Sequence, residues 1–201
     1  MNDDHETLAL LDGLIGKAVA AGADAADAVY FESVSQSVTW RLGEREHLDR
    51  SENAEVGLRV FVGARQAMVS SSDSSATALD ELAERSVAMA RSVPEDPFCG
   101  LADKDQLASD FPDLEVCDET EPGAETLSER AARAEDAARS VAGVTNSDGA
   151  EARWGRSRVT LAASNGFRHS RSGSNHSISV GVVAGENASM ECDYDYASAV
   201  F

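Results

Sequence analysis

Cysteine, lysine and positive charge are all scarce in this chain of 201 residues. The three cysteines, Cys99, Cys117 and Cys192, are odd in number and far apart, which argues against a disulfide framework and against a CxxC metal motif. Acidic residues outnumber basic residues 36 to 17, and the formal net charge is −19. Because such a charge repels phosphate backbones and anionic lipid headgroups, we expect neither nucleic acid nor membrane as a direct partner.

Long apolar runs and a basic leader are also missing. The N-terminus, MNDDHETLALLDGLIGKAV, carries acids where a signal peptide needs positive charge. No apolar run approaches the roughly 20 residues of a membrane span. The sequence therefore predicts a cytoplasmic protein. Its 42% hydrophobic content is enough to bury a core in one large domain or two small ones.

Common catalytic motifs are absent as well: the chain contains no HExxH, GxSxG, Walker loop or GxGxxG. The stretch VSSSDSS around Asp73 offers hydroxyls and an acid, but no histidine lies near it in sequence. We interpret it as a strand end that leads into a helix. The sequence thus predicts no catalytic and no metal-binding residue, and the substrate-binding residues stay unknown.

Three helices are predicted by apolar residues at helical spacing. The first ends near Gly22, and the second spans about 76–91, before two prolines that forbid its continuation. The third opens with a capping box from Thr126 to Glu129. On its outer face we expect two ion pairs four residues apart, Glu129 with Arg133 and Glu135 with Arg139.

Strands are predicted between these helices. Residues 28–72 have the pattern of an antiparallel meander of three or four strands, and Asn165-Gly166 predicts a hairpin turn. A half-buried last strand is expected to place Met190, Cys192, Tyr194 and Tyr196 on one face and Glu191, Asp193 and Asp195 on the other. The residues predicted to face the core are Val56, Leu58, Val60, Val62, Ile178, Val180 and Val182. The fold class is therefore α/β of the α+β type, with antiparallel sheets or meanders and about three α-helices.

The chain divides into three stretches. A helix and β-meander occupy residues 1–92, an irregular connection follows over 93–122, and a helix with β-hairpins occupies 123–201. The connection contains all four prolines, so no regular element is expected there. We interpret it as a wrapped segment anchored by Phe98, Leu101, Leu107, Phe111 and Leu114.

Two histidines and a run of acids near the end of the chain are the remaining chemical candidates. In an unbroken strand His169 and His176 point to opposite faces, so they cannot share a metal unless Gly173 marks a bulge. The acids of the last strand recur every second residue, about 7 Å apart, which is too wide for a compact cation cage. We expect a solvated or partner-facing acidic face.

A family resemblance is carried by several segments in collinear order. They include DPFCGLADKDQLASDFPDLEV (96–116), SSSDSS, TNSDGAEARWGRSRVTLAASNGF and VVAGENASMECDYDYA. Together they resemble the PmbA, or TldE, branch of the TldD/PmbA metalloprotease family over essentially all 201 residues. The resemblance implies an N-terminal domain spanning 1–201, with the C-terminal domain absent.

The resemblance also implies a role within an assembly. In this family the TldD-type subunit carries an HExxxH zinc motif in its later half, whereas the PmbA/TldE-type subunit lacks it. We therefore expect no cofactor in this segment, zinc in a TldD-type partner, and a structural, chamber-forming role in a heterodimer or higher oligomer that degrades unfolded peptides. The family label "modulator of DNA gyrase" describes a phenotype.

Two alternatives belong to other classes. The chain could be a non-catalytic peptide-binding or protein-interaction module that accepts an extended segment at a strand edge by β-augmentation. It could also hold a hydrolase site of its own at His169, His176 and Cys192.

Overall fold

The computed structural model describes residues 4–201, which form a six-stranded sheet and three α-helices. The strand order is β3-β2-β1-β4-β5-β6, and β2–β3 and β5–β6 pair antiparallel. The predicted α+β class is confirmed. The elements are α1 (Asp4–Ala20), β1 (Ala25–Arg41), β2 (Glu44–Val62), β3 (Arg65–Ser71), α2 (Ala76–Ser92), α3 (Ala124–Arg139), β4 (Val144–Ala163), β5 (Arg168–Ala184) and β6 (Glu191–Ala199).

The residues cluster into two compact units, each built from three stretches of the chain. The first unit contains the residues up to Glu32 together with Asn53–Leu114 and Arg158–Arg171. The second contains Ser33–Glu52, Glu115–Ser157 and Ser172–Phe201. Each unit has its own buried apolar cluster.

The core of the first unit lies between α1, α2 and alternate residues of the strands. The predicted two-residue period of β2 is confirmed, because Val56, Leu58 and Val60 are fully buried, while Val62 is partly exposed at the edge of the core. Opposite them the helices contribute Leu11, Leu14, Ile15, Ala18, Leu79, Leu82, Ala83, Val87 and Ala90.

The core of the second unit is smaller and centres on an aromatic residue. Trp154 is 1% exposed and packs with Leu127 and Ala131 of α3. Val180 packs against this cluster, but the part of β5 that lies in the second unit is only partly buried on both faces, so the predicted alternation of buried and exposed residues is not seen there. The remaining members of the cluster are Val34, Val38, Ala150 and Ala152.

Helix starts are set by local caps. The helix α2 begins after Ser75, whose hydroxyl accepts the Ala78 amide at 3.4 Å, in agreement with the predicted strand-to-helix passage. The predicted start of α3 is wrong: its N-cap is Gly123, so Thr126 and Glu129 lie inside the helix. The backbone at Gly123 already accepts the Leu127 amide, which leaves Thr126 no capping role.

Turns were partly predictable. Gly166 has φ +101° and the Asn165 side chain accepts the Phe167 amide at 3.2 Å, which confirms the predicted hairpin turn between β4 and β5. The meander has three strands, and its first turn is at Leu42 and Gly43, both with positive φ. The strand β2 begins at Glu44, well before its apolar half, and residues 44–55 are exposed.

The connection over 93–122 is irregular apart from a short 3-10 helix at Lys104–Gln106 and isolated turns. Phe111 anchors it, since its ring packs edge-on against Phe167 and stacks on the His169 imidazole at a centroid distance of 3.8 Å. The predicted anchors Phe98 and Leu114 are wrong, because they are 94% and 55% exposed. An irregular segment has no periodicity from which the buried side could be deduced.

Within residues 4–201, none of the helices combines the length and the apolar content that crossing a bilayer requires.

Candidate functional site

His176 lies in a polar network of the second unit, between α3 and the segment that leads into it. Its Nε2 is 3.2 Å from Oδ2 of Asp118, and its Nδ1 is 3.1 Å from Nη1 of Arg130. An arginine side chain can only donate, so Nδ1 must accept and the ring proton must be on Nε2, which donates to Asp118. This arrangement orients the His176 ring between a carboxylate and a guanidinium.

Asp118 is itself held in place by the backbone. Its amide donates to the Ser174 hydroxyl at 2.6 Å, and its Oδ1 accepts the Thr120 amide at 2.8 Å. The Thr120 amide, with smaller contributions from the Thr120 hydroxyl and His176, holds the pKa of the Asp118 carboxyl below its ordinary value despite an opposing effect of burial. The carboxylate therefore stays ionised and keeps its bond to the ring.

The network does not have the geometry of a general base. The only ring nitrogen of His176 that can accept a proton faces a guanidinium, and the other already carries its proton. The Ser174 hydroxyl donates to the Val200 carbonyl at 3.0 Å instead of facing a histidine. The arrangement is suited to holding Arg130 in a fixed position.

The other two residues of the hypothesised hydrolase site have different neighbours. His169 stacks on Phe111, and Cys192 is exposed on β6, opposite Val183. Within residues 4–201, neither His169 nor His176 forms a hydrogen bond with a serine or cysteine side chain. These contacts supply no nucleophile for hydrolysis.

Metal ligands do not converge in the described part of the chain. Over residues 4–201, no group of three or more His, Cys, Asp or Glu side chains is placed to hold an ion. The donor set present in this segment thus does not fit the closed or open coordination shells that zinc requires.

The strand β6 forms a free edge of the sheet. It pairs with β5 on one side, and every residue in it is exposed; Tyr194 and Tyr196 are 75% and 70% exposed. The prediction of a half-buried strand is wrong, because no described element covers either face of this edge. The predicted alternation does hold, since Asp193 and Asp195 lie opposite Val182 and Val180 on one face.

The backbone of this edge is capped by its own side chains. The amides of Tyr194 and Tyr196 donate to Oδ1 of Asp193 and Asp195, at 2.9 and 2.8 Å. An amide that donates to a side chain of its own strand points away from the neighbouring strand. These two donors therefore face the open side of β6, where charged side chains discourage uncontrolled pairing.

A buried carboxylate was missed by the sequence analysis. Glu135 is fully buried, and its oxygens accept the amides of Leu42 and Gly43 at 2.7 and 3.2 Å. The predicted pair with Arg139 is present, with 3.9 Å between Arg139 Nη1 and Glu135 Oε2, but its predicted place on the outer face is wrong, because the Glu135 side chain is fully buried. A signal was present: Glu135 follows the buried Leu127 and Ala131 at intervals of eight and four.

Comparison with known families agrees with the architecture described above. Residues 26–90 match the model of PmbA/TldA metallopeptidase domain 1, and residues 117–201 match the model of the PmbA/TldA metallopeptidase central domain. The chain belongs to the PmbA/TldD family.

Two curated relatives cover most of the chain. It is 32% identical over 174 residues to metalloprotease PmbA of Escherichia coli O157:H7, a match that covers 86% of the chain and 39% of the relative. It is 33% identical over 180 residues to the PmbA homolog of Haemophilus influenzae, covering 89% and 40%. The chain thus spans well under half the length of the curated relatives it matches.

Solved structures share the fold. A modulator of DNA gyrase from Bacteroides thetaiotaomicron superposes with a TM-score of 0.90 at 20% identity, over 100% of this chain and 46% of that one. TldE from Thermococcus kodakarensis superposes with a TM-score of 0.79 at 14% identity, over 96% and 43%. At these identities the likeness establishes the fold alone.

Proposed function

We propose that this chain is the N-terminal domain, 1–201, of a PmbA/TldE-like subunit in a zinc metallopeptidase complex that degrades unfolded peptides, and that its role is structural. The observation that carries the proposal is the match to proteins named metalloprotease PmbA over 86–89% of the chain. The three stretches 1–92, 93–122 and 123–201 are then parts of this domain, and the rest of the subunit follows it.

The absence of a suitable donor set supports placing the metal in the partner. Residues 4–201 do not bring three metal ligands together. When bound by a TldD-type subunit, zinc would activate water for peptide hydrolysis. In this proposal the chain forms part of the wall of a chamber and supplies contact surfaces for the other parts of the complex. That role requires a folded core and exposed strand edges, and it requires no nucleophile.

Reconstitution tests this proposal. Cleavage of an unstructured peptide is measured for this chain, for the longer protein that contains it, for a TldD-type partner and for the longer protein mixed with that partner, each with and without chelator. We expect no cleavage by the chain alone and chelator-sensitive cleavage by the mixture. Chelator-sensitive cleavage by the 201-residue chain would contradict the structural role.

A second candidate function is favoured by the free edge of β6. This strand pairs with β5 on one side only, and an incoming strand that displaced the Asp193 and Asp195 side chains from the amides of Tyr194 and Tyr196 would extend the sheet by β-augmentation. This observation supports a peptide-binding or protein-interaction module. The probe is a set of extended peptides, added to isotope-labelled chain and followed through backbone amide shifts.

Peptides N-methylated at every second residue provide the matched control for that experiment. Such peptides keep their side chains but lose the hydrogen bonds of one edge. Shifts confined to β6 that disappear with the N-methylated peptides would support the module. Equal binding of both peptide sets would argue against strand pairing.

A further inference from the structure

A small surface cavity, open to solvent, lies beside the His176 network, between α3 and the last two strands. It has a volume of about 190 Å³ and is lined by Arg130, His176, Ser177 and Ile178, with residues 197–199 on its far side. A water molecule occupies about 30 Å³ of liquid, so the cavity has room for a group of a few heavy atoms and not for a drug-sized ligand.

The strand register explains why this space is open. His176 is opposite Ala199, and Ile178 is opposite Ala197, so all four side chains project from the same face of the β5–β6 pair. The side chains of Ala197 and Ala199 end at Cβ, so they leave unfilled the space beside Ile178 and His176, their partners on β5. The part of the lining that Ile178, Ala197 and Ala199 supply is consequently apolar, which suits a short aliphatic group.

The cavity has a single cationic lining residue. Arg130 is held through Nη1 by Nδ1 of His176, whose ring Asp118 fixes from the other side. Among residues 4–201, no carboxylate forms a salt bridge with the Arg130 guanidinium. Its charge and its other N–H donors are therefore available to a ligand, and a planar guanidinium binds a carboxylate through two parallel hydrogen bonds.

We propose that this cavity binds a small aliphatic carboxylate, with the carboxylate on Arg130 and the aliphatic group on Ile178, Ala197 and Ala199. His176 acts as a positioning residue, because it orients the guanidinium without neutralising it. Two sources supply this chemistry: a free short-chain acid, or the C-terminal residue of a peptide that ends in a small side chain. The cavity would bind the same ligand whether or not the chain works in a peptidase complex.

The test is a titration of the isotope-labelled 201-residue chain, followed by backbone amide shifts. The probes are propionate, N-acetyl-alanine, the peptide acetyl-Gly-Gly-Ala with a free carboxylate, and the same peptide as its C-terminal amide. A ligand of this size is expected to bind with a Kd on the order of millimolar. Shifts should be confined to residues around the cavity.

The probes separate the two sources. Saturable binding of all three acids would show that any small carboxylate is accepted. Binding of the acetylated amino acid and peptide without propionate would assign the site to peptide C-termini. Equal binding of the amide, or no saturable shift at about 20 mM of any acid, would overturn the proposal.

Substitution of Arg130 tests whether carboxylate binding depends on its charge. Arg130→Gln should weaken it by about tenfold or more, the loss expected for charge-assisted hydrogen bonds. The matched control is Arg133→Gln, which removes the same charge from an exposed position one turn along α3. Equal loss in both variants would overturn the proposal, because a general charge effect would then explain it.

Three further variants test the proposal without changing Arg130 itself. Ala197→Leu should fill the cavity and abolish binding while Arg130 is retained. His176→Ala should weaken binding, and His176→Asn should restore part of it, because the asparagine oxygen can accept from Arg130 as Nδ1 does. Undiminished binding by Ala197→Leu would show that the acids bind elsewhere.

Discussion

Oε1 of Glu135 lies 2.7 Å from the amide nitrogen of Leu42, across 93 residues of sequence. The same carboxylate accepts the Gly43 amide, and it is fully buried. Leu42 and Gly43 form the two-residue turn between β1 and β2, both with positive φ, and their amides converge on one anion. Glu135 therefore fastens this turn to α3 inside the second unit.

Replacing Glu135 should destabilise the protein. Glu135→Ala would remove the acceptor of two part-buried turn amides, and we expect a loss of about 1–3 kcal/mol in the free energy of unfolding. Glu135→Gln should lose less, because the amide oxygen can accept one of the two bonds. The measurement is urea unfolding, with Glu129→Ala on the exposed face of α3 as control. A control loss as large as that of Glu135→Ala would contradict the assigned role.

The contribution of Glu135 should depend on pH. Burial opposes its ionisation, but hydrogen bonds from Ser147, Leu42 and Gly43, with the nearby Arg139 charge, outweigh burial and lower the pKa of the carboxyl. A lowered pKa in the folded state gives stability that is complete above the unfolded value of about 4.3 and is lost as the pH falls through the folded value.

The stability difference between wild type and Glu135→Gln should accordingly be constant from about pH 6 to 7 and shrink below about pH 4. Urea unfolding of both proteins at several pH values checks this expectation. A difference that grows on acidification would show that the sign of the pKa shift is wrong.

A charge at Val180 should cost more than one at Ser179. Val180 packs against the cluster around Trp154 and lies directly opposite Asp195. Val180→Asp would place a carboxylate against apolar side chains and beside a like charge, with an expected loss of about 1–3 kcal/mol. Ser179 lies opposite Tyr196 on the other face. Thermal unfolding of Val180→Asp and Ser179→Asp compares the two, and equal losses would contradict the face assignment.

Removing charge from the β6 edge should promote self-association. The double change Asp193→Asn and Asp195→Asn keeps an oxygen that can accept the capping amides, but it removes the repulsion that keeps two such edges apart. Sedimentation at increasing concentration should reveal dimers or larger species. Glu129→Gln with Asp136→Asn removes two charges from exposed positions on α3 and should leave the protein unchanged.

Should both double variants associate equally, net charge and not the exposed edge would be responsible. The comparison is informative because both variants change the formal charge of the chain by the same amount.

Candidate site residues were only partly accessible from the sequence. His176 could be singled out as a histidine near the end of the chain, but its partners could not. Asp118 comes from the irregular connection, 58 residues earlier, and Arg130 from α3, 46 residues earlier. No local pattern connects such positions, because hydrogen bonds between distant segments depend on how the elements pack.

The sequence by itself determined the features that depend on neighbours along the chain. The helical spacing of apolar residues over about 76–91 predicted α2, the alternation from Val56 to Val60 predicted the inner half of β2, and Asn165-Gly166 predicted the turn after β4. In each case a helical or two-residue period, or a backbone with positive φ, is set by a few consecutive residues.

Tertiary structure alone decided which of these surfaces is covered. The strand β6 has the alternation of a half-buried strand and is fully exposed, whereas Glu135 has the charge of a surface residue and is buried. Phe98 is another example, because it is apolar and yet 94% exposed. Burial depends on whether another element packs against a face, and a charge can be buried where distant amides satisfy it, so neither property can be deduced from local sequence.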